Sequence, residues 1–163
     1  MATPDNPSSQ TAAAEHAGPW PEVPRRSGSG APFGTAGKHR EKVIAIVDDE
    51  ESIALLTKQA LDNNGFKTLA FTSAQECLDY IMSHADEVAL VVTDQIMPKI
   101  TGSELVRRLR MQGIPIPAIL VSGVSRPVTS HELKQLAPID FLSKPFEFAQ
   151  LLHAIEQLLP KRK

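Results

Sequence analysis

Five short apolar runs set the plan of this chain from Lys42 onward, each followed by a polar turn and a stretch of helical spacing. Val43-Ile-Ala-Ile-Val47 is continuously apolar, as expected of a strand buried on both faces. The acidic Asp48-Asp-Glu-Glu51 suits the first turn of a helix. Ile53, Leu56, Ala60 and Leu61 keep helical spacing, and Asn63-Asn-Gly65 stops that helix. Phe66 to Phe71 reads as a second strand. Ser73 is placed to cap the next helix, with Ala74, Cys77, Leu78 and Ile81 on one face. A third strand, Ala89 to Val92, runs into Thr93 and Asp94. Pro98 then forces a turn, because proline cannot continue a central strand.

Thr101-Gly-Ser103 opens a third helix with Leu105, Val106 and Leu109 inward and Arg107, Arg108 and Arg110 toward solvent. Ala118 to Val121 is a fourth strand ending in Ser122-Gly123. A thin pattern from about Val128 to Leu136 predicts a weak helix. Ile139 to Leu142 is a short fifth strand, ending at Ser143-Lys-Pro145. The last helix carries Phe148, Leu151, Leu152, Ile155 and Leu159 on one face, and Lys161-Arg-Lys163 follows favourably for its dipole. Alternating strands and helices predict an α/β fold with a parallel sheet, right-handed crossovers and helices on both faces, that is, doubly wound.

Composition divides the chain. Of 13 prolines six, and of nine glycines five, lie in residues 1–40. Such a segment buries too little apolar surface to offset its ordering entropy, so we expect a disordered tail over 1–40 and one folded domain over 41–163. Within the tail, Trp20 lies in Pro19-Trp-Pro-Glu-Val-Pro24, which reads as a passive leader or as a short docking motif. Asp5, Glu15 and Glu22 argue against a transit peptide. A net charge of -2 gives no electrostatic case for nucleic acid. The arginine run is either a nucleic-acid contact or, as is usual for helical charge runs, a solvated face. The single cysteine excludes an internal disulfide and a thiolate metal cluster, and its helical spacing marks it as a core residue. His131 has no second histidine at metal spacing and reads as a surface residue. No apolar run reaches the roughly 18 residues of a transmembrane helix, so a cytoplasmic protein without membrane contact is expected.

Chemistry collects at the strand ends. Asp48 and Asp49 follow the first strand, Asp94 the third, Ser122 the fourth and Lys144 the fifth. All fall on the C-terminal edge of one sheet, where open α/β sheets place ligands. Taken alone, Asp94 could be a solvated residue capping a strand. Three clustered carboxylates, however, repel unless a cation sits among them. Oxygen donors without cysteine or paired histidine suit a hard ion, and Mg²⁺ keeps waters for a phosphate. A hydroxyl and an ammonium suit the remaining phosphate oxygens. The pattern points to phosphoryl transfer onto a carboxylate.

These stretches resemble the receiver domain of bacterial two-component response regulators. The signals are Val47-Asp-Asp-Glu50, Thr93-Asp-Gln-Ile-Met-Pro98 with Gly102, Val121-Ser-Gly123 and Phe141-Leu-Ser-Lys-Pro145. The resemblance, which runs from about Lys42 to the end, implies a flavodoxin-like (β/α)5 fold of strand order 2-1-3-4-5. It implies Asp94 as phosphoacceptor, Asp49 as direct Mg²⁺ ligand, Asp48 as a ligand through water, and the backbone carbonyl of Ile96 as a further ligand. Ser122 and Lys144 would hold phosphoryl oxygens, Lys144-Pro145 would be cis, and Ser122 and Phe141 would form the switch. Phe141 has no hydroxyl where many relatives carry tyrosine, so the switch would work by ring burial. Lys99 and Ile100 depart from the commonest loop, and Gly123 leaves the pocket more open.

The leading expectation is a stand-alone switch, chemotaxis-regulator-like, because little room for an output domain is seen after Leu159, and the resemblance implies that it takes phosphoryl groups from a sensor histidine kinase or histidine phosphotransfer protein. It would then act on a downstream protein target through its fourth helix, fifth strand and fifth helix, and catalyse only its own phosphorylation and dephosphorylation. A phosphorylation-independent pseudo-receiver is the alternative, opposed by the intact Asp48, Asp49, Asp94, Ser122 and Lys144. A phosphorelay intermediate derived from a hybrid kinase is a variant of the first. A dehalogenase-type hydrolase needs a second acid two residues after the nucleophile, where Ile96 stands.

Overall fold

In a computed structural model, residues 42–124 and 128–159 are described. The expectations for the tail over 1–40, for Trp20 and for Lys161-Arg-Lys163 lie outside the described residues. Five strands form along the apolar runs: β1 (Val43–Val47), β2 (Lys67–Phe71), β3 (Val88–Asp94), β4 (Ala118–Ser122) and β5 (Ile139–Ser143). They pair in parallel in the order β2-β1-β3-β4-β5, as the resemblance implied. Between them run α1 (Glu51–Asn63), α2 (Ala74–His84), α3 (Gly102–Met111), α4 (Ser130–Leu136) and α5 (Phe148–Leu158). A 3-10 turn, Ala85–Glu87, links α2 to β3.

Successive side chains of a strand point to opposite faces. Ile44 and Ile46 of β1, Leu90 and Val92 of β3, and Ile119 and Val121 of β4 therefore share one side. They pack there with Leu61 of α1 and Leu151, Ala154 and Ile155 of α5. On α3, Leu105, Val106 and Leu109 are wholly buried. Each such side chain contributes about 1.5–3 kcal/mol by leaving water. The three central strands, β1, β3 and β4, are thus buried on both faces, while β2 and β5 at the edges are partly exposed.

Several local expectations need correction. On α1 the buried residues are Ala54 and Leu61, while Ile53 is 38% and Leu56 63% exposed. Ala54 and Leu61 lie seven apart, on one stripe, and the helix is rotated to seat that stripe on the sheet. Lys58, between them in sequence, pairs with Asp62 at 2.5 Å, and Asp62 in turn accepts the Thr68 hydroxyl of β2 at 2.6 Å. Asp48 and Asp49 are not in the first turn of α1. Its N-cap is Glu50, whose backbone N–H donates to Asp48 Oδ1 at 2.9 Å. Ser73 does hold the N-cap position of α2, but its side chain makes no capping bond. Gly65, at φ +83, ends the α1 region in the left-handed conformation that glycine adopts without strain.

α4 begins at Ser130 rather than Val128. Its start is a capping box: the Thr129 hydroxyl accepts the Glu132 N–H, and the Glu132 carboxylate accepts the Thr129 N–H. Arg110 does not face solvent as expected. Its guanidinium donates to the backbone carbonyls of Ile114, Ile116, Leu136, Ala137 and Pro138 at 2.8–3.3 Å. The rigid fork of guanidinium donors fits this cage of oxygens, which no straight-chain ammonium matches.

Candidate functional site

Parallel strands end side by side, so residues far apart in sequence meet at their C-terminal edge. The backbone N–H of Gln95 donates to the Val121 carbonyl at 2.8 Å, and that of Lys144 to the Ser122 carbonyl at 2.7 Å. These bonds extend the β3-β4 and β4-β5 ladders one step past the strands. They bring Asp94, Ser122 and Lys144 to one rim, and Asp48 and Asp49 follow β1 beside β3.

Carboxylate oxygens of Asp48, Asp49 and Asp94 lie within 4.8 Å of one another. Asp48 is buried and Asp49 is exposed, with Asp94 between the two. Lys144 Nζ stands 3.6 Å from Asp94 Oδ1 and 3.9 Å from Asp48 Oδ2, too far for strong hydrogen bonds but close enough to attract both. Three carboxylates against one ammonium leave a formal charge of −2 in a small volume. Burial pushes the Asp48 carboxyl above its usual range; the Glu50 N–H and Lys144 pull it back, and Asp94 and Asp49 add to the rise. An all-oxygen donor set with excess negative charge is what a hard divalent cation requires, and the residues present fit Mg²⁺.

On the far side, Ser122 is wholly buried, and its Oγ accepts the Val124 N–H at 3.1 Å. Its own hydroxyl proton is not used in that bond. Gly123 has open space where a Cβ would stand. Phe141 lies half-buried on β5, paired in register with Leu120. Lys144-Pro145 is cis, as the resemblance implied; a second cis bond, Ala137-Pro138, was not anticipated. Ile96 and Val124 are 61% and 47% exposed. Beneath the carboxylates a small cavity is lined by Ile46, Thr57, Val92, Asp94, Lys144 and Phe146. Cys77 is buried and free, with its thiol pushed upward by burial, and takes no part.

Two features of the site had no sequence signal. One is the seat of Asp48 on the Glu50 N–H. The other joins Gln95 to Ser103, eight residues on, at the start of α3: Gln95 Oε1 accepts the Ser103 N–H, and Gln95 Nε2 donates to Ser103 Oγ, both at 2.9 Å.

Comparison with known proteins agrees with this geometry. Residues 44–156 match the family model described as the response regulator receiver domain. Sensor kinase CckA of Brucella abortus is 31% identical over 119 residues, which cover 73% of this chain and 13% of CckA. The transcriptional regulatory protein FixJ of Bradyrhizobium diazoefficiens is 32% identical over 116 residues, 71% of this chain and 56% of FixJ. The crystal structure of FixJ-N matches with a TM-score of 0.62 at 34% identity, covering 72% of this chain and 92% of that one. The response regulator TrrA of Thermotoga maritima, solved in complex with Mg²⁺-BeF, matches with a TM-score of 0.64 at 28% identity, over 72% of this chain and 99% of that one. The chain therefore belongs to the receiver domains of two-component signalling, a family that accepts phosphoryl groups on aspartate and binds Mg²⁺ in an acidic pocket. It spans 13% of CckA and about half the length of the other curated relatives it matches. No helix among the described residues is long and apolar enough to cross a membrane.

Proposed function

We propose that Asp94 takes a phosphoryl group from a phosphohistidine of a sensor histidine kinase or histidine phosphotransfer protein, and that the modified domain switches a protein-binding face. The observation that carries this reading is the Asp48–Asp49–Asp94 cluster with Lys144 3.6 Å from Asp94 Oδ1. A carboxylate oxygen of Asp94 attacks phosphorus as the bond to the imidazole nitrogen breaks, and the imidazole leaves with that electron pair. Asp48, Asp49, Asp94 and the Ile96 backbone carbonyl would hold Mg²⁺, which when bound offsets charge on the transferring oxygens. Lys144 sits where its ammonium attracts the incoming oxygens. The Ser122 hydroxyl has a proton to donate to a phosphoryl oxygen, and turning to do so withdraws the acceptor from Val124 N–H. That withdrawal gives the loop after β4 a reason to move, and inward burial of Phe141 completes the switch. The domain catalyses only its own phosphorylation and dephosphorylation in this reading.

A second reading, a relay station that passes its phosphoryl group onward, draws on the 31% identity to a stretch of sensor kinase CckA. Incubation with acetyl phosphate and Mg²⁺ tests the first: intact mass should show one phosphoryl group, absent from Asp94→Asn. Undiminished labelling of that variant overturns the assignment. Transfer of label from the modified protein to a histidine phosphotransfer domain, faster than hydrolysis, would select the relay.

A further inference from the structure

The stretch between Asp94 and α3 has to hold two things still, the Asp94 carboxylate and the Ile96 carbonyl. It has little regular structure with which to do so. Residues 95–101 include Lys99 at φ 68, a conformation that non-glycine residues avoid. Ile96 is 61% exposed and contributes little packing to restrain its own peptide plane.

Gln95, between them, is the most heavily tied residue of the loop. It is 7% exposed, and all four of its hydrogen-bonding groups are engaged. Its N–H donates to Val121 O at 2.8 Å and its carbonyl accepts Gly102 N–H at 3.1 Å. The side-chain amide spans both polar groups of Ser103, itself 7% exposed, at 2.9 Å each. The orientation of that amide follows from the donors, because only Oε1 can accept the Ser103 N–H. The first three N–H groups of α3 are thus met by Gln95 O, by Gln95 Oε1 and by Thr101 Oγ1. Two of the three come from the residue that follows Asp94. The start of α3 is docked on the end of β3, and Gly102 permits it, because a Cβ there would run into the Asp94 carbonyl oxygen.

We propose that Gln95, through its buried amide bridge to Ser103, is a positioning residue for the metal and phosphoacceptor site. It fixes the two peptides that flank Gln95, the second of which leads directly into Ile96 and its carbonyl, and holds Asp94 against α3. The proposal rests on the reading of Asp94 and Mg²⁺ given above. Partners that orient metal ligands without touching the ion govern affinity in general, because a ligand free to rotate must be ordered on binding. Gln95→Leu keeps the volume but leaves the Ser103 N–H buried without a partner and Ser103 Oγ with only its 3.2 Å bond to Thr101 Oγ1. Ser103→Ala keeps the backbone bond and loses only the second.

The test is a Mg²⁺ titration of the full chain followed by amide chemical shifts, with thermal unfolding of the same proteins. Ile155→Val, in α5 away from the site, serves as the control for lost stability. We expect the Mg²⁺ dissociation constant to rise about tenfold in Gln95→Leu, less in Ser103→Ala, and not in Ile155→Val. Gln95→Leu binding Mg²⁺ as tightly as wild type, with only its unfolding midpoint lowered, overturns the proposal and leaves Gln95 a helix cap. Should Gln95→Leu fail to fold, wild-type affinity in Ser103→Ala overturns it equally. A wild-type protein that takes up no Mg²⁺ at all instead removes the reading on which the proposal stands.

Discussion

Ile96 and Val124 stand two residues beyond Asp94 and Ser122, and both are exposed and apolar. A water that hydrolyses an acyl phosphate must approach phosphorus in line, past such positions. Neither side chain can hydrogen-bond that water, and on the proposed reading of Asp94 both would crowd its path. Gly123 opens the pocket beside them, yet access without orientation gains little, because in-line positioning is a large part of phosphoryl-transfer catalysis. Self-dephosphorylation should therefore be slow. Decay of the phosphorylated protein in Mg²⁺ should quicken roughly tenfold, equivalent to about 1.4 kcal/mol of barrier, in Ile96→Asn or Val124→Glu. Equal decay in all three proteins would show that these side chains do not gate the water. The residues of the site were legible because carboxylates, a hydroxyl and a lysine recur at strand ends. Gln95 was not, since an amide eight residues from its partner follows no periodicity.

At the scale of elements, α4 shows how tertiary contacts replace a hydrophobic face. Seven residues long, it buries Leu136 alone. Two arginines of α3 hold it instead. Arg107 lies 2.6 Å from Glu104 and 3.4 Å from Glu132 of α4, an exposed arrangement that adds little on its own. Arg110 is the stronger tie. It caps the C-terminal carbonyls of α4 from a neighbouring helix, meeting orphan acceptors that α4 cannot satisfy itself. Arg110→Met should lower stability by about 1.5–3 kcal/mol, the range for hydrogen bonds made by a charged group. Amide exchange should rise in α4 and the Ala137-Pro138 turn while β1 and β3 stay protected. Unchanged exchange in α4 would mean that the helix is held by other contacts. The three central strands were legible as elements because burial on both faces leaves nearly continuous apolar runs, and the two edge strands as shorter apolar runs between turns. The buried side of α1 was not: its apolar residues exceed one stripe, and only the packed sheet selects Ala54 and Leu61 over Ile53 and Leu56.

For the whole molecule, the site should couple folding to pH and, if it holds Mg²⁺ as proposed, to metal. Burial raises the folded-state pKa of Asp48 above its ordinary value. Over the interval between those two values the metal-free folded protein binds more protons than the unfolded chain. Its stability therefore falls as pH rises through that interval, and the deficit persists at neutral pH. On the proposed reading Mg²⁺ would bind the ionised carboxylates, so it should raise the unfolding midpoint at pH 7 and lose that effect as pH falls into the interval. Asp48→Asn should be more stable than wild type without Mg²⁺ and respond less to it. A Mg²⁺ effect of the same size from pH 7 down to pH 4 would contradict this linkage. Gly102 belongs to the same scale, since it allows α3 to approach the end of β3 closely.

Apolar periodicity by itself determined the alternation of strands and helices, because burial on two faces or one leaves a different spacing in each. The order of residue types at strand ends determined the family and the candidate acids, hydroxyl and lysine. The distances among those groups were decided only by the tertiary structure, as were the rotation of α1 and the use of Arg110 as a cap. So was the clamp of Gln95 on Ser103. Each of these depends on which backbone groups parallel strands and docked helices bring within about 3 Å of one another, the reach of a hydrogen bond. No local pattern along the chain encodes that proximity.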